Sequence, residues 1–240
     1  MSKTSEVILI IPSYNEAGNI ERVVDELISG YPQFDYVVVT DGPTDGTDVI
    51  CRRRGYNTVF LPENMGLTEC FRRGMSYAWE QGYRYAVQFD GDGQHRPEYV
   101  ASMVETAGKG YDLVQGSRFL PLKRSSKTAQ AGKPETEEKM KGLRAVGSRI
   151  IRTVIFLKTG KKVTDPTCGL RLYSRNLIDE FANKSIYAPE PDTVAKLLKK
   201  GIRYAEVPVR VGERTSGESY LNPAKAAQYM WRMISSILWK

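Results

Sequence analysis

The sequence is poor in the residues from which many metal and redox centres are built. Its 240 residues include one histidine, His95, and three cysteines, Cys51, Cys70 and Cys168, which are scattered and have no metal-ligand spacing. A histidine-rich metal site and a catalytic triad that needs another histidine are therefore excluded. A sparse and odd cysteine count is typical of a reducing compartment. We therefore expect a cytoplasmic location.

Long apolar runs are also missing. The first apolar run, Val7 to Ile11, has five residues and stops at Pro12, and no stretch approaches the roughly 18 apolar residues of a membrane-spanning helix. No signal peptide is visible. Acidic residues are fewer than basic ones, 28 against 35, so the net charge is +7. This balance favours an anionic partner such as a nucleotide, a nucleic acid or a membrane surface.

Short apolar runs alternate with amphipathic segments through the first half of the chain. The runs predict strands at 7–11, 36–40, 58–61, 85–89 and 112–119, and the segments between them predict helices at 16–28, 45–54, 66–82 and 97–107. This order indicates an α/β fold with a mostly parallel central sheet flanked by helices. Tyr14, Asp41 and Asp90 lie just past strand ends, where such sheets bind ligands, so we expect them to share one crevice.

The second half begins differently. Residues 120–139 are polar and lysine-rich, which predicts a mobile loop. Helices are predicted at 140–157, 191–200 and 223–240, a strand at 203–211, and a turn followed by a short extended segment at 165–174. We see no internal repeat and no domain boundary, so we expect a single domain over 1–240.

Asp90 and Asp92 stand one residue apart directly after an apolar strand, in "FDGDGQH". A calcium loop is excluded, because its sixth and twelfth positions would hold His95 and Ala101 instead of Gly and Glu. A phosphotransferase with an attacking aspartate is possible, although Gln94 stands where its pattern D-x-D-x-[TV] has Thr or Val. A surface Asp-Gly turn is the plainest alternative. The fourth interpretation is that the two carboxylates hold a divalent cation against a diphosphate.

Several longer motifs follow one another in the order typical of one enzyme family. They are "IIPSYNE" (10–16), "VVVTDGPTDGT" (37–47), "FDGDGQHRPE" (89–98), "GSRF" (116–119) and "DPTCGLRLY" (165–173). Together they resemble family 2 glycosyltransferases with the GT-A fold. The stretch "AEVPVRVGERTSGES" (205–219) resembles the dolichyl-phosphate mannosyltransferase branch and its bacterial polyprenyl-phosphate relatives. The Q-x-x-R-W box of processive synthases is absent.

The resemblance implies a nucleotide-sugar-binding half over residues 1–119. Pro12, Tyr14 and Glu16 match residues that hold the base and ribose, and Asp41 matches the aspartate that reads the base. Thr40 and Pro43 depart from the family's D-D-G-S pattern at this point. Asp90 and Asp92 match the metal and diphosphate aspartates, with Asp92 in the catalytic set, and Gln94 matches a further ligand of Mg²⁺ or Mn²⁺. His95 is left out of the metal set.

The resemblance implies an acceptor-side half over residues 140–240. Arg118 and Arg214 match arginines that hold an acceptor phosphate, and Arg144 is a weaker candidate. A lipid phosphate is already an anion, so it needs positive charge more than a base. Two rivals stay open, namely a saccharide acceptor that needs a carboxylate base such as Asp165 or Glu190, and a non-catalytic basic module. Arg171 belongs to a family motif without an assigned role.

The implied reaction is the inverting transfer of one sugar from a nucleotide-diphosphate sugar to a polyprenyl phosphate. Because that acceptor lies in a bilayer, we expect a peripheral enzyme at the cytoplasmic membrane face. The predicted helices 140–157 and 223–240 mix apolar residues with Arg and Lys, which suits an interfacial helix on an anionic leaflet. Docking on a small membrane partner protein fits the same expectation, whereas nucleic acid does not.

Overall fold

The computed structural model describes residues 3–122, 143–184, 187–212 and 223–239, without the side chains of 143–146 and 223–227. Seven strands form one sheet, and their bounds are β1 Val7–Ser13, β2 Asp35–Asp41, β3 Thr58–Leu61, β4 Tyr85–Gln88, β5 Leu113–Ser117, β6 Arg171–Ser174 and β7 Tyr204–Pro208. The helices are α1 Ile20–Gly30, α2 Thr47–Arg54, α3 Leu67–Glu80, α4 Val100–Gly108, α5 Leu143–Thr159, α6 Arg175–Asp179, α7 Pro191–Lys199 and α8 Pro223–Trp239. A 3₁₀ turn, Pro97–Tyr99, precedes α4, and a π-helical turn, Glu180–Lys184, follows α6.

The strand order in the sheet is β3-β2-β1-β4-β6-β5-β7. The pairs among β3, β2, β1 and β4 are parallel, and so is β5 with β7. β6 is antiparallel to both of its neighbours, β4 and β5. The predicted α/β fold with a mostly parallel sheet is therefore confirmed, and β2, β1 and β4 place their carboxyl ends side by side.

Apolar side chains cover both faces of this sheet, as the β-branched strand sequences require. One core contains residues of α1, α2 and α4, such as Val23, Cys51 and Met103. The other contains residues of α3 and of the later helices, such as Phe71 and Met233. The late helices α5, α7 and α8 thus lie on the face opposite to α1, α2 and α4.

Helix α1 begins at Ile20, four residues after the start that periodicity predicts. The backbone N–H groups of Asn19 and Ile20 both donate to the carbonyl oxygen of Glu16, at 2.9 and 2.8 Å. Asn15 before them has a φ of 55°, in the left-handed region. These residues therefore form a turn between β1 and α1, and β1 itself continues to Ser13.

The segment 165–174 ends in a strand inside the sheet, which the sequence predicts only as a short extended piece. The first three of its four residues are buried, and their position between β4 and β5 depends on pairing with distant residues. Helix α6 and the π-helical turn after it are not predicted. Residues 123–142 of the predicted loop and of the helix start, together with Arg214, lie outside the described residues.

Candidate active site

The ends of β1 and β2 form the two walls of a crevice of about 230 Å³. Pro12 and Tyr14 line it from the β1 side and Asp41 lines it from the β2 side, while the first turn of α3 closes it with Leu67. Because β1 and β2 are parallel neighbours, their carboxyl ends meet here. The crevice thus contains three of the four residues that the sequence associates with a base and a ribose.

The Asp41 carboxylate is held by backbone amides. Its Oδ1 accepts a hydrogen bond from the N–H of Met65 at 2.8 Å, and its Oδ2 accepts one from the N–H of Gly66 at 2.9 Å. Gly42, next to it, has a φ of 56°, and an added Cβ there would lie 2.4 Å from the carbonyl carbon of Glu63. Asp41 therefore fixes the loop before α3 and cannot turn away from the crevice.

Glu16, the fourth predicted nucleotide residue, ties two loops together. Its backbone N–H donates to Thr47 Oγ1 at 2.9 Å, and its Oε2 accepts from Asn19 Nδ2 at 2.8 Å. Asp45 completes this junction, because its Oδ2 accepts the N–H of Ala17 and its Oδ1 accepts the N–H of Thr47. This role of Asp45 was not predicted from the sequence, although an aspartate two residues before a threonine whose N–H it accepts is a common turn signal.

Asp90 follows β4 at the adjoining strand end. Its backbone N–H donates to His95 Nδ1 at 2.9 Å, and its Oδ2 lies 3.5 Å from His95 Nε2. Because Nδ1 accepts a hydrogen bond, the proton of a neutral His95 must lie on Nε2. His95 is buried against Phe89. Its hydrogen bond to the backbone of Asp90 therefore fixes the loop that carries this aspartate.

Asp92 and Gln94 lie in the turn that follows. Asp92 is buried, and its Oδ1 accepts the backbone N–H of Gln94 at 3.0 Å. Gln94 pairs with Gly212, accepting its N–H at 2.8 Å through the backbone and donating from Nε2 to its carbonyl oxygen at 3.4 Å. With Nε2 held this way, the amide oxygen of Gln94 is the atom that a metal ion would use.

Three glycines leave room around the two aspartates. An added Cβ at Gly91 would lie 2.9 Å from Ser13 Oγ, which places this loop against the end of β1. One at Gly169 would lie 3.0 Å from Asp90 Oδ2, and one at Gly93 would overlap the Arg22 guanidinium. Arg22 was not among the predicted site residues. A cation in the first turn of a helix interacts unfavourably with the helix dipole, so its presence there indicates that the side chain serves a purpose other than helix stability.

This arrangement fits a hard divalent cation. Among the described residues, no group of three or more His, Cys, Asp and Glu side chains could hold a metal ion by itself. Mg²⁺ commonly uses one or two carboxylates and takes its other ligands from phosphates and water. Asp90 and Asp92 supply that number of carboxylates, in a loop that packs against the end of β1.

Arg118, a predicted acceptor residue, lies in a buried ion pair. Its Nε and Nη2 donate to the two carboxylate oxygens of Asp165 at 2.7 and 2.9 Å, and Nη2 also donates to Thr167 Oγ1. Asp165 is 0% exposed. Glu206 accepts the backbone N–H of Asp165 at 3.0 Å. The pair fixes the orientation of the Arg118 guanidinium, and it leaves Asp165 unable to reach a substrate as a base.

Arg171 braces the turn that carries Asp165. Its side chain is almost fully buried, and it donates to the carbonyl oxygens of Cys168 and Pro166 at 3.1 and 3.0 Å. Both bonds stay within the segment before β6. The sequence leaves the role of Arg171 unassigned, and in this arrangement the role is structural.

A larger groove of about 950 Å³ begins at the same end of α3, where Leu67 lines the crevice and Thr68 lines the groove. Glu190 lies in its wall and accepts a hydrogen bond from Arg232 Nη2 at 2.7 Å. Burial nevertheless raises the pKa of the Glu190 carboxyl above its ordinary value. Asp165 and Glu190 are the two carboxylates that the sequence offers as a base. Of these two, Glu190 is the one that a ligand in the groove could contact.

Asp192, two residues later, connects α7 with α8. Its Oδ2 accepts hydrogen bonds from Lys196 Nζ at 2.8 Å and Ser236 Oγ at 2.6 Å. Burial alone would raise the pKa of Asp192, but these bonds outweigh it and the pKa lies below its ordinary value. Within the described part of the chain, Oδ1 has no hydrogen-bond partner. Trp231 and Trp239 line the same groove from α8.

Comparison with known proteins gives a family match. The family model for glycosyl transferase family 2 matches residues 8–181. An undecaprenyl-phosphate mannosyltransferase of Micrococcus luteus is 30% identical, over 90% of this chain and 87% of that protein. A polyprenol monophosphomannose synthase of Mycolicibacterium smegmatis is 25% identical, over 96% of this chain and 86% of that protein.

A solved structure shares the fold. The glucosyl-3-phosphoglycerate synthase of Mycobacterium tuberculosis, crystallised with Mn²⁺, UDP-glucose and phosphoglyceric acid, superposes with a TM-score of 0.65 at 19% identity. The match covers 97% of this chain and 78% of that one. The strand-end crevice, the carboxylate pair beside it and the family match together lead to one assignment: the chain is a glycosyltransferase of the GT-A fold and belongs to glycosyl transferase family 2, in the branch that includes the polyprenyl-phosphate sugar transferases.

Proposed function

We propose that this protein transfers one sugar from a nucleotide-diphosphate sugar to a polyprenyl phosphate, with inversion at the anomeric carbon. The observation that carries the proposal is the carboxylate pair Asp90 and Asp92 beside a base-sized crevice, in a chain whose relatives are named for sugar transfer to polyprenyl phosphates. In this reaction an oxygen of the lipid phosphate forms a bond to the anomeric carbon. The bond from that carbon to the donor diphosphate breaks, and the nucleoside diphosphate leaves.

The donor side of the proposal rests on fixed polar groups. Pro12 and Tyr14 would pack against the base, and Asp41, whose orientation two backbone amides fix, would contact its edge. Asp90, Asp92 and the amide oxygen of Gln94 would hold Mg²⁺ or Mn²⁺. When bound, the ion neutralises charge that develops on the leaving diphosphate. His95 keeps Asp90 in position, and Gly91 and Gly93 let the backbone approach the phosphates.

The acceptor side rests on the positive charge of arginine side chains. Arg118 has a fixed guanidinium, and bidentate arginine contacts suit phosphate oxygens. Arg214, outside the described residues, stays a predicted second acceptor residue, and so does Arg144. A phosphate monoester is largely ionised at neutral pH, so its attack needs no carboxylate base.

Incubation with a panel of nucleotide sugars, a short-chain polyprenyl phosphate and Mn²⁺ tests this function. The expected result is a glycosyl polyprenyl phosphate with one of the donors, and loss of the product when a chelator removes the ion. Product formed on a free saccharide, with none on the lipid phosphate, would contradict the proposal. The same panel identifies the base and the sugar.

A saccharide acceptor is the second candidate, and one observation favours it. Glu190 combines a raised pKa with a place in the wall of the large groove, which are properties of a general base. Replacement of Glu190 separates the two candidates, because only the saccharide acceptor must lose a proton.

A further inference from the structure

Two polar side chains that line the crevice have donated their hydrogen atoms within the protein. Ser13 Oγ donates to the carbonyl oxygen of Ile11 at 3.3 Å, and Cys70 Sγ donates to the carbonyl oxygen of Val39 at 3.2 Å. Both side chains are almost fully buried. Because a hydroxyl and a thiol each have a single hydrogen to donate, neither has one left for a ligand in the crevice.

Asp41 offers the crevice an acceptor and no donor. Each of its two oxygens accepts one backbone N–H, from Met65 and from Gly66. A carboxylate oxygen has two lone-pair positions, so each oxygen keeps one for a ligand. The group of a ligand that meets Asp41 must therefore carry a hydrogen that it can donate.

Asn64 offers a donor at the same place. It is exposed and lines the crevice, and its Oδ1 accepts the N–H of Gly66 at 3.1 Å. This bond assigns the other atom of the amide as Nδ2, because a backbone N–H needs an acceptor. Among the residues that the structure describes, nothing accepts a hydrogen bond from Nδ2. The amide can thus donate to a ligand.

The acceptor and the donor stand next to each other. The N–H of Gly66 is shared between Asp41 Oδ2 at 2.9 Å and Asn64 Oδ1 at 3.1 Å, so both side chains are fixed to one backbone atom. Pro12 and Leu67 provide apolar surface in the same crevice. A flat ring bound there would meet Asp41 and Asn64 along one edge.

We propose that Asn64 is a specificity-determining residue, and that with Asp41 it selects a base in which a ring N–H stands beside a carbonyl oxygen. Uracil has this edge at its N3–H and O4, and guanine has it at its N1–H and O6. The ring N–H donates to Asp41, and the carbonyl oxygen accepts from Asn64. The inference rests on the proposed function, because it concerns the base of the donor.

Cytosine and adenine have the opposite edge, in which a ring nitrogen without hydrogen stands beside an amino group. The ring nitrogen would face the Asp41 carboxylate, and the amino group would face the Asn64 amide, so neither pair could form a hydrogen bond. Because Asp41 is only 4% exposed, water compensates poorly for the bond that is lost there. A site of this kind rejects a mismatched ligand far more strongly than a site that only encloses it.

Binding of free nucleoside diphosphates, measured by titration calorimetry with Mn²⁺, tests the inference without any transfer reaction. We expect at least one of UDP and GDP to bind about a hundredfold or more tightly than CDP and ADP. The affinities of UDP and GDP, compared with each other, then identify which base supplies the edge. Equal affinities for all four nucleotides would overturn the selection.

Asn64→Asp isolates the donor. The new side chain keeps an acceptor for the N–H of Gly66, but a second acceptor replaces the donor. The added charge weakens every nucleotide alike, so the informative quantity is the ratio between the affinities for the preferred nucleotide and for CDP. This ratio should fall by about tenfold or more, since the amino group of cytosine gains a partner and the carbonyl oxygen loses one.

Asn176→Asp is the matched control, because Asn176 is an exposed asparagine of α6 outside the crevice. It adds the same charge and should leave the ratio within about a factor of two of wild type. Asn64→Ala removes the donor without adding charge, and the ratio should fall by about threefold to tenfold. An unchanged ratio in both Asn64 variants, with unfolding midpoints near that of wild type, would overturn the role of Asn64.

The same measurements separate this inference from the proposed function. Failure of wild-type protein to bind any of the four nucleotides would reject both. Selective binding of UDP or GDP without transfer from any nucleotide sugar would reject the proposed transfer and leave the base selection intact. Transfer by a protein that binds CDP as tightly as UDP and GDP would reject the base selection alone.

Discussion

The two halves of the chain carry opposite charge. Residues 1–119 contain 11 Lys and Arg against 17 Asp and Glu, whereas residues 120–240 contain 24 against 11. The first half nevertheless supplies the crevice for a donor that is itself an anion. An acidic site for an anionic ligand needs a cation between them, and we propose that the pair Asp90 and Asp92 holds it.

The halves also differ in how their functional side chains are fixed. In the first half, Asp41 and Asp45 are held by backbone amides within neighbouring loops. Arg118, at the end of the first half, is instead fixed by Asp165 of the second half, which lies 47 positions away. The side chains at the donor crevice are therefore fixed by local contacts, whereas Arg118 is fixed by a contact between the two halves.

Removal of one carboxylate from the acidic half should have the largest effect. Asp92→Asn should lower sugar transfer by about a thousandfold or more, because the amide binds a divalent cation poorly and offsets none of its charge. Mn²⁺ affinity, followed by electron paramagnetic resonance, should fall in parallel. The unfolding midpoint should stay near that of the wild type.

Asp48→Asn on α2 is the matched control for this change, and it should keep activity and Mn²⁺ binding. Full transfer by Asp92→Asn would contradict the assignment of the metal site to this loop.

Removal of Arg118, the arginine that pairs with the basic half through Asp165, should have the next largest effect. Arg118→Ala should lower the free energy of unfolding by about 3–5 kcal/mol, because it leaves the buried Asp165 carboxylate without its charged partner. The double variant Arg118→Ala/Asp165→Asn should recover much of this stability but still use the lipid acceptor about a hundredfold less well. Kinetics with varied acceptor and saturating donor provide the measurement.

Asp165→Asn alone serves as the reference for that double variant. If the double variant regains acceptor use together with stability, Arg118 acts only as a brace and has no contact with the acceptor.

Glu190→Gln sharpens the comparison between an anionic and a neutral acceptor. With a phosphate acceptor the loss of rate should be less than about tenfold, whereas a missing general base costs about a hundredfold to ten-thousandfold. Stability should not fall at neutral pH. Because burial raises the pKa of Glu190, the unfolding free energy falls as the pH rises through the folded value, and Gln removes that decline.

Glu180→Gln is a suitable control, since Glu180 also pairs with a largely exposed cation, Lys200, at 2.7 Å. A rate loss of a hundredfold or more with Glu190→Gln would favour the saccharide acceptor.

The smallest effect on activity is expected at the amino end of β2, far along the strand from Asp41. Asp35 accepts hydrogen bonds from the N–H groups of Thr4 and Ser5 and from Tyr83 Oη. Burial alone would raise the pKa of Asp35, but these bonds outweigh it and lower the pKa. Asp35→Asn should therefore cost about 1–3 kcal/mol of stability at pH 7 with little change in transfer.

This stability difference has a defined pH dependence. A carboxyl whose pKa is lower in the folded state adds stability above its unfolded pKa of 3.8, and that stability is lost as the pH falls through the folded value. Urea unfolding of both proteins between pH 7 and pH 3 should show the difference shrinking at the acid end. A constant difference would assign the effect to packing.

Local patterns were sufficient to predict the strands of the first half and the meeting of Tyr14 and Asp41 in one crevice, which Asp90 does not line. Parallel strands place their carboxyl ends on one edge of the sheet. Residues just past those ends therefore lie near one another, and this does not depend on the exact register of the strands. The ion pair of Arg118 with Asp165, the contact of Arg22 with Gly93 and the position of β6 could not be predicted, because each depends on packing between segments that are distant in the sequence. Periodicity carries no information about such partners.

The place of β6 in the sheet has a consequence for the order in which the chain can fold during synthesis. β5 leaves the ribosome before β6, yet β6 lies between β4 and β5 in the finished sheet. A nascent chain that ends near residue 119 thus carries β5 with no neighbouring strand to pair with. The sheet can close only after residues 171–174 have emerged, so we expect the nucleotide-binding segment to reach its final protease resistance late in translation.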